Sequence, residues 1–336
     1  MKNISGVELL FTVFIPLVLA SCEKSGSKSI DPGDPKTIVT EIHQKEVIDS
    51  ANSFAFDLFR PIIGDTKGEE NIMISPFSIT SALSMTLNGA SGETFEDMKK
   101  TLRLDGKTLE QINDTYLKLM TEMVPVDERV VLEIANSVWV EKHLTVKEPF
   151  MTALATWYKA EAREISITDP QALDIVNDWI ADKTHDRITD MLNFLEPDLA
   201  MLLINAVYFN GKWRYQFDSD KTVDEPFYLT PLSAKDVPMM HQKVNLNVAV
   251  TDNAKIVEIP YGQGNYTMVV VLPEEGFTTS GLGGSINGTV WNNWMAALEE
   301  NTREVELSMP RFKYEYKRNL NDDLINLGMG VAFTGS

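Results

Sequence analysis

The sequence predicts a single α+β domain, on three observations. Up to about residue 195, apolar residues recur every three or four positions along several stretches, which gives a helix one apolar face. After Trp213 the recurrence changes to every second position, the period of strands with one face in and one face out. No composition shift and no internal repeat divides residues 36–336, so nothing marks a second domain. With 336 residues and 43% hydrophobic side chains, the chain can bury a sizeable core.

The N-terminus has its own pattern. Lys2 precedes an apolar segment, residues 9–19, and the small residues Ala20 and Ser21 lead into Cys22. That order is a secretory signal with a small-residue cleavage site. Leu19-Ala20-Ser21-Cys22 also resembles the bacterial lipobox, in which the cysteine is lipidated and becomes the first mature residue. Two readings stand: an ordinary signal with a chance cysteine, or residues 1–21 as a lipoprotein signal peptide. On the second, the protein is exported and held at a bacterial membrane through Cys22 alone, at the outer membrane or cell surface. Residues 22–35 are polar and rich in Ser, Gly and Pro, as expected of a flexible tether. The domain proper is expected over residues 36–336.

Its elements follow in order. Residues 36–63 form an amphipathic helix expected to end at Pro61 and Gly64. After an extended run at 71–74, Ser75-Pro76 opens a second helix with a capping hydroxyl and a proline at the first helical position. That helix is apolar or small on nearly every face and stops at Gly89, so its serines need local or cross-element partners. Helices at 94–102 and 109–123, a strand at 130–140, a helix at 149–160 and a strand at 162–167 come next. Asp169-Pro170 begins a helix carrying Ile175, Val176, Trp179 and Ile180. Beyond Trp213, strands at 227–229, 244–250, 255–260 and 266–272 alternate with turn residues and imply antiparallel hairpins. A helix at 291–300, strands at 305–309 and 311–316, and a helix at 320–327 ending at Gly328 complete the chain.

Residues 199–213, LAMLLINAVYFNGKW, form an apolar run with one internal amide, Asn205. They predict a central strand buried on both faces. An unpaired carboxamide there would cost about 1–3 kcal/mol, so Asn205 needs a partner. It is either a satisfied core asparagine or a hydrogen-bond latch where strands meet or part.

Composition and motifs exclude much chemistry. Acidic residues number 49 and basic ones 30, and the net charge of −19 argues against nucleic acid or an anionic membrane surface as a partner. One cysteine allows no intrachain disulfide and no thiolate zinc site, and four scattered histidines lack metal-ligand spacing, so no metal is expected. No nucleophile elbow, zinc-protease helix, phosphate loop or dinucleotide fingerprint occurs, and no cofactor is expected. The carboxylate pairs Glu299-Glu300 and Asp322-Asp323 fit solvated helix faces. The chain is expected not to be an enzyme.

A resemblance adds to this. Asn71-x-x-x-Ser75-Pro76-x-Ser78-Ile79, then Gly89-Ala90-x-Gly92-x-Thr94, is similar to the opening signature of the serpins. Asn205-Ala206-x-Tyr208-Phe209-x-Gly211-x-Trp213 resembles that family's main-sheet strand. Glu258-x-Pro260-Tyr261, Pro310-Arg311-Phe312 and Leu327-Gly328-Met329 follow in the family's order. One departure is Asp186, where the family usually carries glycine after the threonine turn. The resemblance implies a large mixed sheet, two smaller sheets and eight or nine helices. It also implies suicide inhibition of a serine or cysteine protease, in which a cleaved reactive loop inserts as a new strand into the large sheet. Ser75, Ser78 and Asn205 match the family's shutter, where the sheet opens, Asn71 lies near it, and Trp213 matches the breach, where the loop first enters.

In the family the loop, its scissile bond and a final hairpin follow the Leu-Gly-Met helix, whereas this sequence stops at Ser336. The expectation is a monomer truncated before the loop and inactive alone, with an open sheet edge through which copies could polymerise. The alternatives are a non-inhibitory surface binding protein on the same fold, or a non-functional remnant.

Overall fold

The computed structural model describes residues 33–66, 70–230, 233–299 and 301–333. Cys22, the expected signal peptide and residues 22–32 of the expected tether lie outside them. Gly33, near the tether's end, and Lys36, the first residue of the expected domain, are tied to the rest of the domain. Arg214 Nη1 donates to the Gly33 carbonyl at 2.9 Å, and Lys36 N–H donates to Asn265 Oδ1 at 3.0 Å.

Nine helices occur among the described residues. The longest, α1 (Ile42–Thr66), runs through Pro61 and Gly64 and does not stop there as expected. Burial explains this: Ile62 and Ile63, between the two breakers, are both buried, and their packing outweighs local preference. Helix α2 (Pro76–Leu87) is capped by Ser75 and buries nine of its twelve residues. Around these two pack α3 (Gly92–Thr101), α4 (Leu109–Met123) and α5 (Glu148–Tyr158). A reciprocal cap between Thr108 and Gln111 starts α4.

The helices cover one face of a mixed sheet ordered β2 (Glu161–Ile165), β1 (Val130–Glu141), β3 (Met201–Gly211). Strand β1 runs parallel to β2 and antiparallel to β3. Alternation sends Val138, Val140 and Leu203 into the main helical core, and Trp139, Leu202 and Ala206 to the opposite face. On that opposite face lies α6 (Ala172–Lys183), with Trp179 edge-on to Trp139 at 6.3 Å. The segment around Asn205 is thus covered on both faces, as expected. It is not central, however: β1 is the middle strand, and β3 pairs on one side only among the described residues.

The second half is a five-stranded antiparallel sheet of β4 (Val223–Thr230), β5 (Ser233–Val250), β6 (Ala254–Pro260), β7 (Thr267–Pro273) and β8 (Thr302–Pro310). Strand β5 is far longer than its expected 244–250. It pairs with β4 over its first part, with β8 through Met239 to Asn247, and with β6 at its end. The two smaller sheets implied by the resemblance are thereby one hydrogen-bonded unit. Against it lie α7 (Thr279–Ser285), which the sequence reading missed, and α8 (Gly288–Glu299), whose Trp294 and Leu298 pack on Ala249 and Ile256. Helix α1 joins the halves: Phe56 meets Trp291 at 6.1 Å, and a Cβ at Gly283 would sit 2.3 Å from Ile63.

Residues 311–316, expected as a strand, form none. Residues 311–319 alternate strictly between exposed and half-buried, the pattern of a strand, but make no ladder. Periodicity reports faces, whereas a strand also needs a paired backbone. The chain then turns through α9 (Asn321–Leu324) to Gly328, whose φ of 113° is open to glycine.

Candidate functional site

Asn205 sits opposite Asn136 in the β1–β3 register, and its Nδ2 donates to Asn136 Oδ1 at 2.8 Å. Asn136 Nδ2 donates in turn to the Tyr158 carbonyl at 2.7 Å. The Tyr158 hydroxyl donates to Asn113 Oδ1 at 2.7 Å, and Asn113 exchanges amide bonds with Asn88 at 2.8 and 3.0 Å. Asn88 closes the chain on the Ser84 carbonyl of α2 at 2.8 Å. A buried polar path therefore runs from β3 through β1, α5 and α4 to the end of α2. Burial, with a smaller contribution from Tyr116, pushes the Tyr158 hydroxyl well above its ordinary range, so it stays a neutral donor.

Three buried oxygens of β3 and α2 stay outside this path. Asn205 Oδ1, Ser81 Oγ and Ser84 Oγ have no hydrogen-bond partner among the described residues. An orphaned group of this kind costs about 1–3 kcal/mol, and each lies on an element facing the main core.

The other residues singled out from the sequence fall elsewhere. Ser75 Oγ donates to Ser78 Oγ at 3.0 Å and accepts the Ser78 N–H at 3.4 Å, so the two serines satisfy each other at the start of α2. Neither bonds to Asn205, and Asn71 is exposed on the approach to that helix. Trp213 is eight residues along from Asn205, about 27 Å at roughly 3.4 Å per residue. It stacks on Tyr261 at 4.3 Å and 15°, stands edge-on to Phe217, and bridges β3 to the end of β6.

Sequence reasoning missed Asn136, Tyr158, Asn113 and Asn88. Asn136 was detectable: it shares the parity of Leu132, Ile134, Val138 and Val140, so it is a polar residue on the apolar face of a strand.

The turn at the departure from the family pattern closes without glycine. His185 and Asp186 adopt φ of 50° and 57°, and the Asp186 N–H donates to the Ala181 carbonyl at 2.8 Å. His185 then lies on Tyr208 at 4.3 Å, with Nε2 2.9 Å from Glu133 Oε2, which ties the end of α6 to both long strands. Among the described residues no group of three or more His, Cys, Asp or Glu could hold a metal ion, and no helix is long and apolar enough to cross a membrane.

Comparison with known proteins places this geometry. The family model "Serpin (serine protease inhibitor)" matches residues 49–336. The chain belongs to the serpin family. An uncharacterized serpin-like protein of Thermococcus kodakarensis is 30% identical over 311 residues, spanning 92% of this serpin and 71% of the relative. Among solved structures, emu (Dromaius novaehollandiae) ovalbumin superposes with a TM-score of 0.81 at 27% identity, covering 86% of this serpin and 79% of that chain. Reactive-loop-cleaved human thyroxine-binding globulin superposes at 0.81 and 25% identity, covering 87% and 86%. The α+β single-domain serpin fold holds across these comparisons, and serpins are generally protease inhibitors, although the family includes thyroxine-binding globulin.

Proposed function

We propose that this serpin is the scaffold of a non-catalytic inhibitor of serine or cysteine proteases that works by accepting a strand at the free edge of β3. The observation that carries the reading is the buried Asn205 Oδ1, which among the described residues has no partner and lies on a strand paired along one side only. An incoming strand offers a row of backbone donors and acceptors and can bring a donor to that oxygen. The amide path behind Asn205 can stay closed while the edge is filled, because its links lie on the β1 side of the strand. Ser75 and Ser78 fit a hinge role at the base of α2, and Trp213 fits the entry end. Export and attachment through a lipidated Cys22 would place the inhibitor outside the cytoplasm, where it would meet foreign or secreted proteases.

A second reading, a non-inhibitory binding protein on the same fold, has one support: a solved structural relative is a thyroxine-binding globulin. Strand-like synthetic peptides with small side chains separate the two. On the inhibitor reading such a peptide raises the melting temperature and slows amide exchange along β3. Unchanged melting and exchange with every peptide in the series would sink it.

A further inference from the structure

At the Trp213 end of β3 lies a cleft of 310 Å³ lined by Arg129, Lys212, Trp213, Arg214, Gln216 and Gly262. Three of its six lining residues are cationic, in a chain of net charge −19. Arg214 spends its Nη1 on the backbone carbonyls of Gly33 and Gln263, which orient the guanidinium and leave its charge uncancelled. Among the described residues neither Lys212 nor Arg214 pairs with a carboxylate. The buried acid nearest the cleft, Asp127, accepts the Gln263 N–H at 2.7 Å and the Arg129 N–H at 2.9 Å. It is thus engaged in building the wall. Gly262 has φ of 46°, and a Cβ there would come within 2.5 Å of Asp127 Oδ1, so this loop is pressed onto the carboxylate. Trp213, stacked on Tyr261, forms a rigid apolar side.

We propose that this cleft binds a phosphate-type oxyanion carrying more than one negative charge. The Arg214 guanidinium has N–H donors beyond Nη1 that match phosphate oxygens, Lys212 adds a mobile point charge, and the Gln216 amide is a neutral donor. A concave space of a few hundred Å³ suits a phosphate ester or a lipid headgroup. The cleft lies where residue 33 meets the domain, and ten residues separate Gly33 from Cys22, at most about 40 Å of extended chain. A headgroup of the membrane to which a lipidated Cys22 would attach is therefore within reach, as is a free phosphate compound.

The test uses the full chain. Calorimetric titration with pyrophosphate at physiological salt is expected to show saturable one-to-one binding. Lys212→Glu should weaken it by about tenfold or more, with an unchanged melting temperature. Lys243→Glu, which alters a cation paired with Glu304 away from the cleft, should leave it unchanged. Absence of saturable binding at millimolar pyrophosphate, or equal weakening by Lys212→Glu and Lys243→Glu, overturns the site. Sedimentation with phosphatidylglycerol vesicles identifies the source. Lys212-dependent binding to them assigns a lipid headgroup, and binding of pyrophosphate alone assigns a free phosphate ligand.

Discussion

Asn136 is the link between the strand amide and the helices, because it accepts from Asn205 and donates to the Tyr158 carbonyl. Asn136→Ala would strand an amide and a carbonyl inside the main core, at a cost of about 2–4 kcal/mol. Asn205→Ala strands only Asn136 Oδ1 and removes an oxygen that is already unpaired, so it should cost less. Urea denaturation of both variants checks the order, and a larger loss for Asn205→Ala would contradict the path as drawn. At this scale the sequence identified the buried amide but not its partner. Its apolar run exposed Asn205 as an exception, while the serines of α2 looked like the nearest polar company. Ser75 and Ser78 instead satisfy one another across a single helical turn, a local choice that spacing alone does not distinguish from a long-range one.

Elements show a different limit. Helix α6 is held to β2 by Glu161, whose carboxylate takes Lys183 Nζ at 2.9 Å, Arg163 Nη2 at 2.8 Å and the Trp179 indole N–H at 3.0 Å. The Lys183 bond is the largest cause holding the Glu161 carboxyl down to about 2, with Arg163 and Trp179 adding to it against the opposing effect of burial. A folded-state value below the unfolded one stabilises the native protein above the ordinary carboxylate range, near 4.5, and that contribution is lost as pH falls toward 2. The side chain is 39% exposed, so solvent screens much of the effect. Glu161→Gln should lower stability by about 1 kcal/mol at pH 7 and by progressively less between pH 4.5 and 2, measured by urea unfolding across that range. A deficit independent of pH would mean that packing, not charge, holds α6. Most helices were legible because their apolar stripes are long. The β5 strand was cut short because its first half, Ser233 to Lys243, is polar on exposed positions and lacks a clean alternation. Residues 311–319 erred the other way, with alternation but no ladder.

For the molecule as a whole, the edge of β3 that is unpaired among the described residues and the charge of −19 act in opposite directions on association. A flat unpaired strand edge invites pairing with a second copy, and like charge keeps copies apart. The screening length falls from about 10 Å at 0.1 M salt to about 3 Å at 1 M, so repulsion between approaching copies fades while backbone pairing does not. Sedimentation velocity should therefore show monomer at low salt and a growing oligomer fraction as salt rises at fixed concentration. Strand-like peptides that occupy the β3 edge should reverse it. Oligomers that form with salt but persist in saturating peptide would assign the contact to another surface, such as the exposed Tyr228 and Leu229 on β4, and would leave the β3 edge closed to partners in solution.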